Sequence, residues 1–136
     1  GNKTPHGIRK AAYSAHKKVR TAAIAALGEQ INNLDCQEDK DLIISALNDS
    51  CENVRSEAII LVGKFTNSKL AETLIIPKLE DSSIEVKKNA ALTLMRMNSK
   101  EGLSALRNIE KKESDIYLSN IFMLAVNNIE SDIFTN

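Results

Sequence analysis

Two histidines and two cysteines are the side chains in this 136-residue chain best suited to acid–base, nucleophilic or metal chemistry. Their spacing does not support any of it. His6 stands close to the first residue, and His16 is flanked by Lys17 and Lys18, whose charges disfavour a further cation. Cys36 and Cys51 have neither the CxxC spacing of a metal or redox site nor the number that a disulfide framework needs. They read as reduced thiols in a cytoplasmic protein. No G-x-S-x-G elbow presents a serine to either histidine. The five glycines, at 1, 7, 28, 63 and 102, are too scattered to cradle a phosphate. The sequence therefore names no catalytic, cofactor-binding or metal-binding residue, and it reads as a non-enzyme without a cofactor.

Charge narrows the partners. The 18 basic and 18 acidic residues cancel, yet residues 1–28 hold Lys3, Arg9, Lys10, Lys17, Lys18 and Arg20 and no acid. A basic end on an acidic body steers acidic partners. Lys87, Lys88, Arg96 and Lys100 also cluster, but there is no Trp to join Tyr13 and Tyr117 in a stacking platform. With a neutral total this argues against nucleic acid. The runs Glu38–Asp41 and Glu110–Glu113 read as solvated faces, so Asp39→Ala is expected to change stability very little. No apolar run approaches the roughly 20 residues a membrane span needs, and no signal-peptide pattern is present, so no membrane insertion is expected. A chain opening Gly1-Asn2 without Met is expected to be a module or fragment of a larger protein.

The elements that must carry these residues repeat. Leu42–Val54 (LIISALNDSCENV) and Leu74–Val86 (LIIPKLEDSSIEV) share apolar pattern, acidic turn and terminal valine, 32 residues apart. Aligned on that valine, Gly7–Val19 and Leu106–Leu118 supply two more units, with anchor spacings of 35, 32 and 32. The three extra residues of the first interval fall in Asn32–Lys40, where a longer loop is cheap. After each anchor, offsets 4 and 8 stay apolar: Ala23 and Leu27, Ala58 and Val62, Ala90 and Leu94, Phe122 and Val126. Residues four apart share one helix face. A period of this length signals a stacked array in which each unit buries its face against its neighbours.

Each unit reads as helix A, a turn and helix B. The A helices are predicted near 8–14, 37–48, 69–80 and 100–111, and the B helices near 17–31, 52–65, 84–97 and 115–129. Ser82-x-x-Glu85 and Asp35-x-x-Glu38 have capping-box form, and Asn67-Ser68 and Ser114-Asp115 are further cap candidates. Pro77 is expected to kink the third A helix, because it lacks an N–H and crowds the carbonyl of Thr73. The domain boundaries are a single repeat domain over 1–136, with units of about 7–41, 42–73, 74–105 and 106–136.

Asn48-Asp49 through Val54-Arg55-x-x-Ala58-x-x-x-Val62-Gly63, and Glu80-Asp81 through Val86-Lys87-x-x-Ala90-x-x-x-Leu94, resemble the HEAT-like repeat. The resemblance is strongest to the short bacterial and archaeal type also found in phycobilin lyases, and it covers about residues 7–130. It implies an all-α, armadillo-like right-handed α-solenoid, an α-α superhelix of about four helix pairs. It implies too that the turn Asp caps helix B and meets a basic side chain of an adjacent repeat. Carried over, this structural turn ladder is Asp49 with Arg55 and Asp81 with Lys87, weakened at the ends where Ser14 and Glu113 replace Asp and Ser119 replaces the base.

Such a fold serves unrelated activities. The expectation is a protein-binding scaffold or adaptor, with a lyase-type or accessory protein acting on a bound cofactor or client as the alternative and nucleic-acid binding third. Its partner surface is expected on the B helices. Offset 6 is apolar in every unit (Ala25, Ile60, Leu92, Leu124), and Lys64, Lys88 and Arg96 would form a polar rim. Packing between repeats is the competing fate of that row.

Overall fold

The computed structural model describes residues 6–30, 36–65 and 67–135. They are all-helical, with no strand among them. The chain divides into two compact units, Gly1–Phe65 and Thr66–Asn136.

The first unit holds α1 (His6–Ala11), α2 (Lys17–Gln30), α3 (Gln37–Ala46) and α4 (Glu52–Val62). α1 packs on α2 and α3 on α4, and the B helices α2 and α4 pack on each other. The second unit holds α5 (Ser68–Ile75), a 3-10 turn over Ile76–Glu80, α6 (Ile84–Arg96), α7 (Lys100–Lys112) and α8 (Ile116–Thr135). There α8 packs against both α6 and α7, and the 3-10 turn packs against α6. Each unit is thus two A/B helix pairs, as the repeat period requires.

Burial follows the offsets. Val54, Ala58 and Val62, Val86, Ala90 and Leu94, and Leu118, Phe122 and Val126 are all buried. So are Ala23 and Leu27, whereas the anchor Val19 of the first unit is 41% exposed. Val19 lines an open apolar recess with Ile8 and Ala11 of α1. Full burial of an aliphatic side chain contributes about 1.5–3 kcal/mol, so these rows hold the pairs together. Gly28 shows how closely the B helices approach, since a Cβ there would lie 2.2 Å from Leu61 Cδ2.

Helix ends follow local chemistry, with corrections to the predicted caps. Asn67 Oδ1 accepts from the Leu70 N–H, and Ser99 Oγ from Gly102. Asp115 Oδ1 caps α8 through the Leu118 N–H. α6 is capped by Ser83 and not by Ser82: Ser83 Oγ accepts from Val86, so the predicted box with Glu85 does not form. Asp35 lies outside the described residues, and the N-cap of α3 is Cys36, without a side-chain cap bond. Pro77 does interrupt the third A helix. The chain changes from α to 3-10 geometry at Ile76, where the missing proline N–H is tolerated at a helix start.

Candidate functional site

The four A-to-B turns share one device. At the same repeat position Ser14, Asp49, Asp81 and Glu113 each accept, through a side-chain oxygen, the backbone N–H two residues on. The distances are 3.1 Å from His16, 2.8 Å from Cys51, 2.9 Å from Ser83 and 3.0 Å from Asp115. This local side-chain turn fixes the entry to helix B. Ser14 and Glu113 make the bond as the aspartates do, so the expected weakening of the end turns does not extend to this bond.

Charge then links successive turns. Arg20 Nε and Nη2 grip both Asp49 oxygens at 2.9 Å, and its Nη1 donates to the Ser14 and Ala15 carbonyls. That fork, with help from the Cys51 N–H, holds the Asp49 carboxyl below its usual pKa against the opposing effect of burial. Arg55 Nη1 donates to its own turn's carbonyls, Asp49 O at 2.9 Å and Ser50 O at 3.3 Å. In the second unit Lys87 Nζ lies 3.6 Å from Glu113 Oε1. At two of these positions the side chain one residue after the anchor reaches forward, to the acid of the following turn. Asp49 is gripped by Arg20, and Lys87 meets Glu113. At the fourth unit that position is Ser119.

Around these turns the first unit has a polar recess of about 550 Å³ whose lining includes Lys17, Arg20, Cys51, Glu52 and Arg55. Lys17, Arg20 and Arg55 offer hydrogen-bond donors there, and Glu52 a carboxylate. His16 is exposed. Among the described residues no group of three His, Cys, Asp or Glu side chains is placed to hold a metal.

The expected partner surface is partly open. On α6, Lys88 and Leu92 are half-buried and Arg96 is exposed, four residues apart along one face. Lys88 is tied to Glu85. On α4 Ile60 is half-buried, and Lys64 is exposed just beyond the helix. Leu124 on α8 is 49% exposed.

Comparison with known proteins agrees with this geometry. The HEAT repeats model matches residues 6–75 and 40–124. The chain belongs to the HEAT repeat family. It is 33% identical over 129 residues to the bilin biosynthesis protein MpeU of Synechococcus sp. (strain WH8020), a match that takes in 95% of this chain and 43% of that protein. Among solved structures, a computationally designed armadillo repeat protein for modular peptide recognition superposes with a TM-score of 0.64 at 21% identity, over 89% of this chain and 62% of that one. An engineered protein gives 0.61 at 18% identity, over 91% and 61%. The chain thus spans less than half of the bilin biosynthesis protein. The structural likenesses carry the fold of an armadillo-like α-solenoid.

One row in this HEAT repeat chain was not anticipated. On the A helices, Arg9 Nε meets Asp39 Oδ1 at 2.7 Å and Arg9 Nη1 meets Glu38 at 2.9 Å, and Lys69 pairs with Glu101. Asp39 is buried, which corrects its reading as part of a solvated charge run. The signal available was the interval: opposite charges stand 30 and 32 residues apart, close to the repeat period.

Proposed function

We propose that this chain is a non-catalytic HEAT repeat module that binds another protein, and that its client takes part in bilin biosynthesis. The observation that supports this reading is the 33% identity to a bilin biosynthesis protein across almost the whole chain. The half-open faces of the B helices support binding. On α6, Leu92 supplies apolar area and Lys88 and Arg96 the polar rim, with Ile60 and Lys64 in corresponding places on α4. In this reading the ladder residues Asp49, Arg55, Asp81 and Lys87 are structural. The module works in the cytoplasm, where Cys36 and Cys51 stay reduced.

The test is co-expression with a bilin source and a bilin-accepting protein subunit, followed by size-exclusion chromatography read at visible wavelengths. Co-elution of the chain with the subunit is the expected result. Arg96→Glu, at an exposed position, should weaken the association at least about tenfold. No co-elution with any bilin-accepting subunit would sink the proposal. A second reading, an enzyme of lyase type, rests on the same relative. It is favoured if the purified chain by itself accelerates covalent bilin attachment.

A further inference from the structure

The polar recess of about 550 Å³ in the first unit is walled by two turns that both lie inside that unit, so it is not an end face of the array. Lys17 and Glu52, the first residues of α2 and α4, both line it. Its volume falls among those of ligand sites, roughly 300–1,000 Å³. Of the side chains that line it only Ala15 is aliphatic, so it suits a hydrophilic ligand and not an apolar body.

Charge gives the sign of that ligand. Lys17 is exposed and has no ion pair among the described residues. Arg20 and Arg55 are held at the wall by bonds to turn carbonyls, and Asp49 meets the charge of Arg20. The bonds of Arg20 take at most four of its five N–H groups. Glu52 is the one acid among the described residues of the lining. The repeat adds a second contrast at this place. Three residues before each anchor stand His16, Cys51, Ser83 and Asp115. Ser83 and Asp115 accept the N–H groups of Val86 and Leu118. Cys51, which lines the recess, makes no side-chain cap bond. The first turn of α4 therefore lacks the oxygen that Ser83 gives α6.

We infer that the recess takes a carboxylate side chain from an acidic segment of the protein client, and this rests on the protein-binding reading above. The Lys17 ammonium supplies the charge, Arg20 a fixed donor, and the uncapped start of α4 its backbone N–H groups. A single uncompensated cation beside Glu52 matches a singly charged carboxylate better than a doubly charged phosphate, which Glu52 repels more strongly. The six basic residues of 1–28, with no acid among them, draw an acidic segment to this end of the chain.

Titrating the isotope-labelled full chain with the peptide acetyl-Ser-Glu-Ser-amide should shift the amide resonances of Lys17 and of Glu52–Val54 along a saturable curve. Half-saturation is expected at roughly 1–10 mM, as one or two charge-assisted bonds would give. The matching glutamine peptide should bind at least about tenfold more weakly. Lys17 and Glu52 are exposed, so their variants should keep the helical circular dichroism. Lys17→Gln should weaken the glutamate peptide at least about fivefold, and Glu52→Gln should tighten it about threefold. Inorganic phosphate at matched ionic strength should bind no tighter than the peptide. Shifts that do not saturate, equal binding of the two peptides, a Lys17→Gln chain that binds like the wild type, or tighter binding of phosphate would each overturn the proposal. The titration uses the chain alone, so its failure is distinct from a failure to co-elute with a client.

Discussion

Asp49 concentrates three local forces in one carboxylate: the turn bond to the Cys51 N–H, the two-pronged grip of Arg20, and partial burial. Because its folded pKa is depressed, its contribution is present above the ordinary carboxylate value near 3.9 and is lost as pH falls through the lowered one. Asp49→Asn should therefore lower the urea midpoint at pH 7, by about 2 kcal/mol of stability. The gap to the wild type should begin to narrow as the pH falls below about 4. A gap that stays constant down to pH 3 would count against the ionic grip. Asp39 is the contrasting case. Buried beside Arg9, it should cost about 2 kcal/mol when replaced by Ala. Urea unfolding of Asp39→Ala indistinguishable from wild type would restore its reading as a surface charge.

At the scale of elements, the short connections depend on single residues. α6 ends with Asn98 at φ 50°, a left-handed conformation that glycine adopts without steric cost. The Ser99 N–H bonds the Leu94 carbonyl and the Asn98 N–H that of Met95, the paired bonds of a Schellman ending. Ser99 then caps α7 at once, so three residues turn one helix into the next. Asn98→Gly should raise the thermal midpoint, worth roughly 0.5 kcal/mol, and Asn98→Val should lower it by about 1 kcal/mol or more. If both variants match the wild type, the left-handed turn is not what closes this connection. Pro77 works the other way, breaking α5 into a 3-10 turn that still packs on α6.

Over the whole molecule, repeat proteins hold each unit by its neighbours, so stability is spread unevenly along the chain. α1 is six residues long with no fully buried side chain described, whereas α4, α6 and α8 carry the buried rows. Native-state hydrogen exchange should show α1 exchanging fastest and amides near Ala58, Ala90 and Phe122 slowest. The expected spread is at least about a hundredfold in protection. Equal protection of α1 and α6 would contradict this layering.

The period, the helix pairs and the buried offsets were legible in the residues, because a face recurring every four positions has to be buried and a 32-residue repeat has to stack. The turn acceptors were legible in the aspartates, and Pro77 announced its break. What residue order left open was the pairing of charges. Arg20 and Asp49 stand 29 residues apart, and only the folded stacking of helix pairs decides that the Arg20 side chain reaches the carboxylate of the next turn as well as the carbonyls of its own. The same holds for Asp39, which sits in a run of charges and is buried with Arg9 bonded to it. It holds for α8 too. Its offset-5 residue has the apolar character of those before it, and only the tertiary structure shows that no described helix covers it.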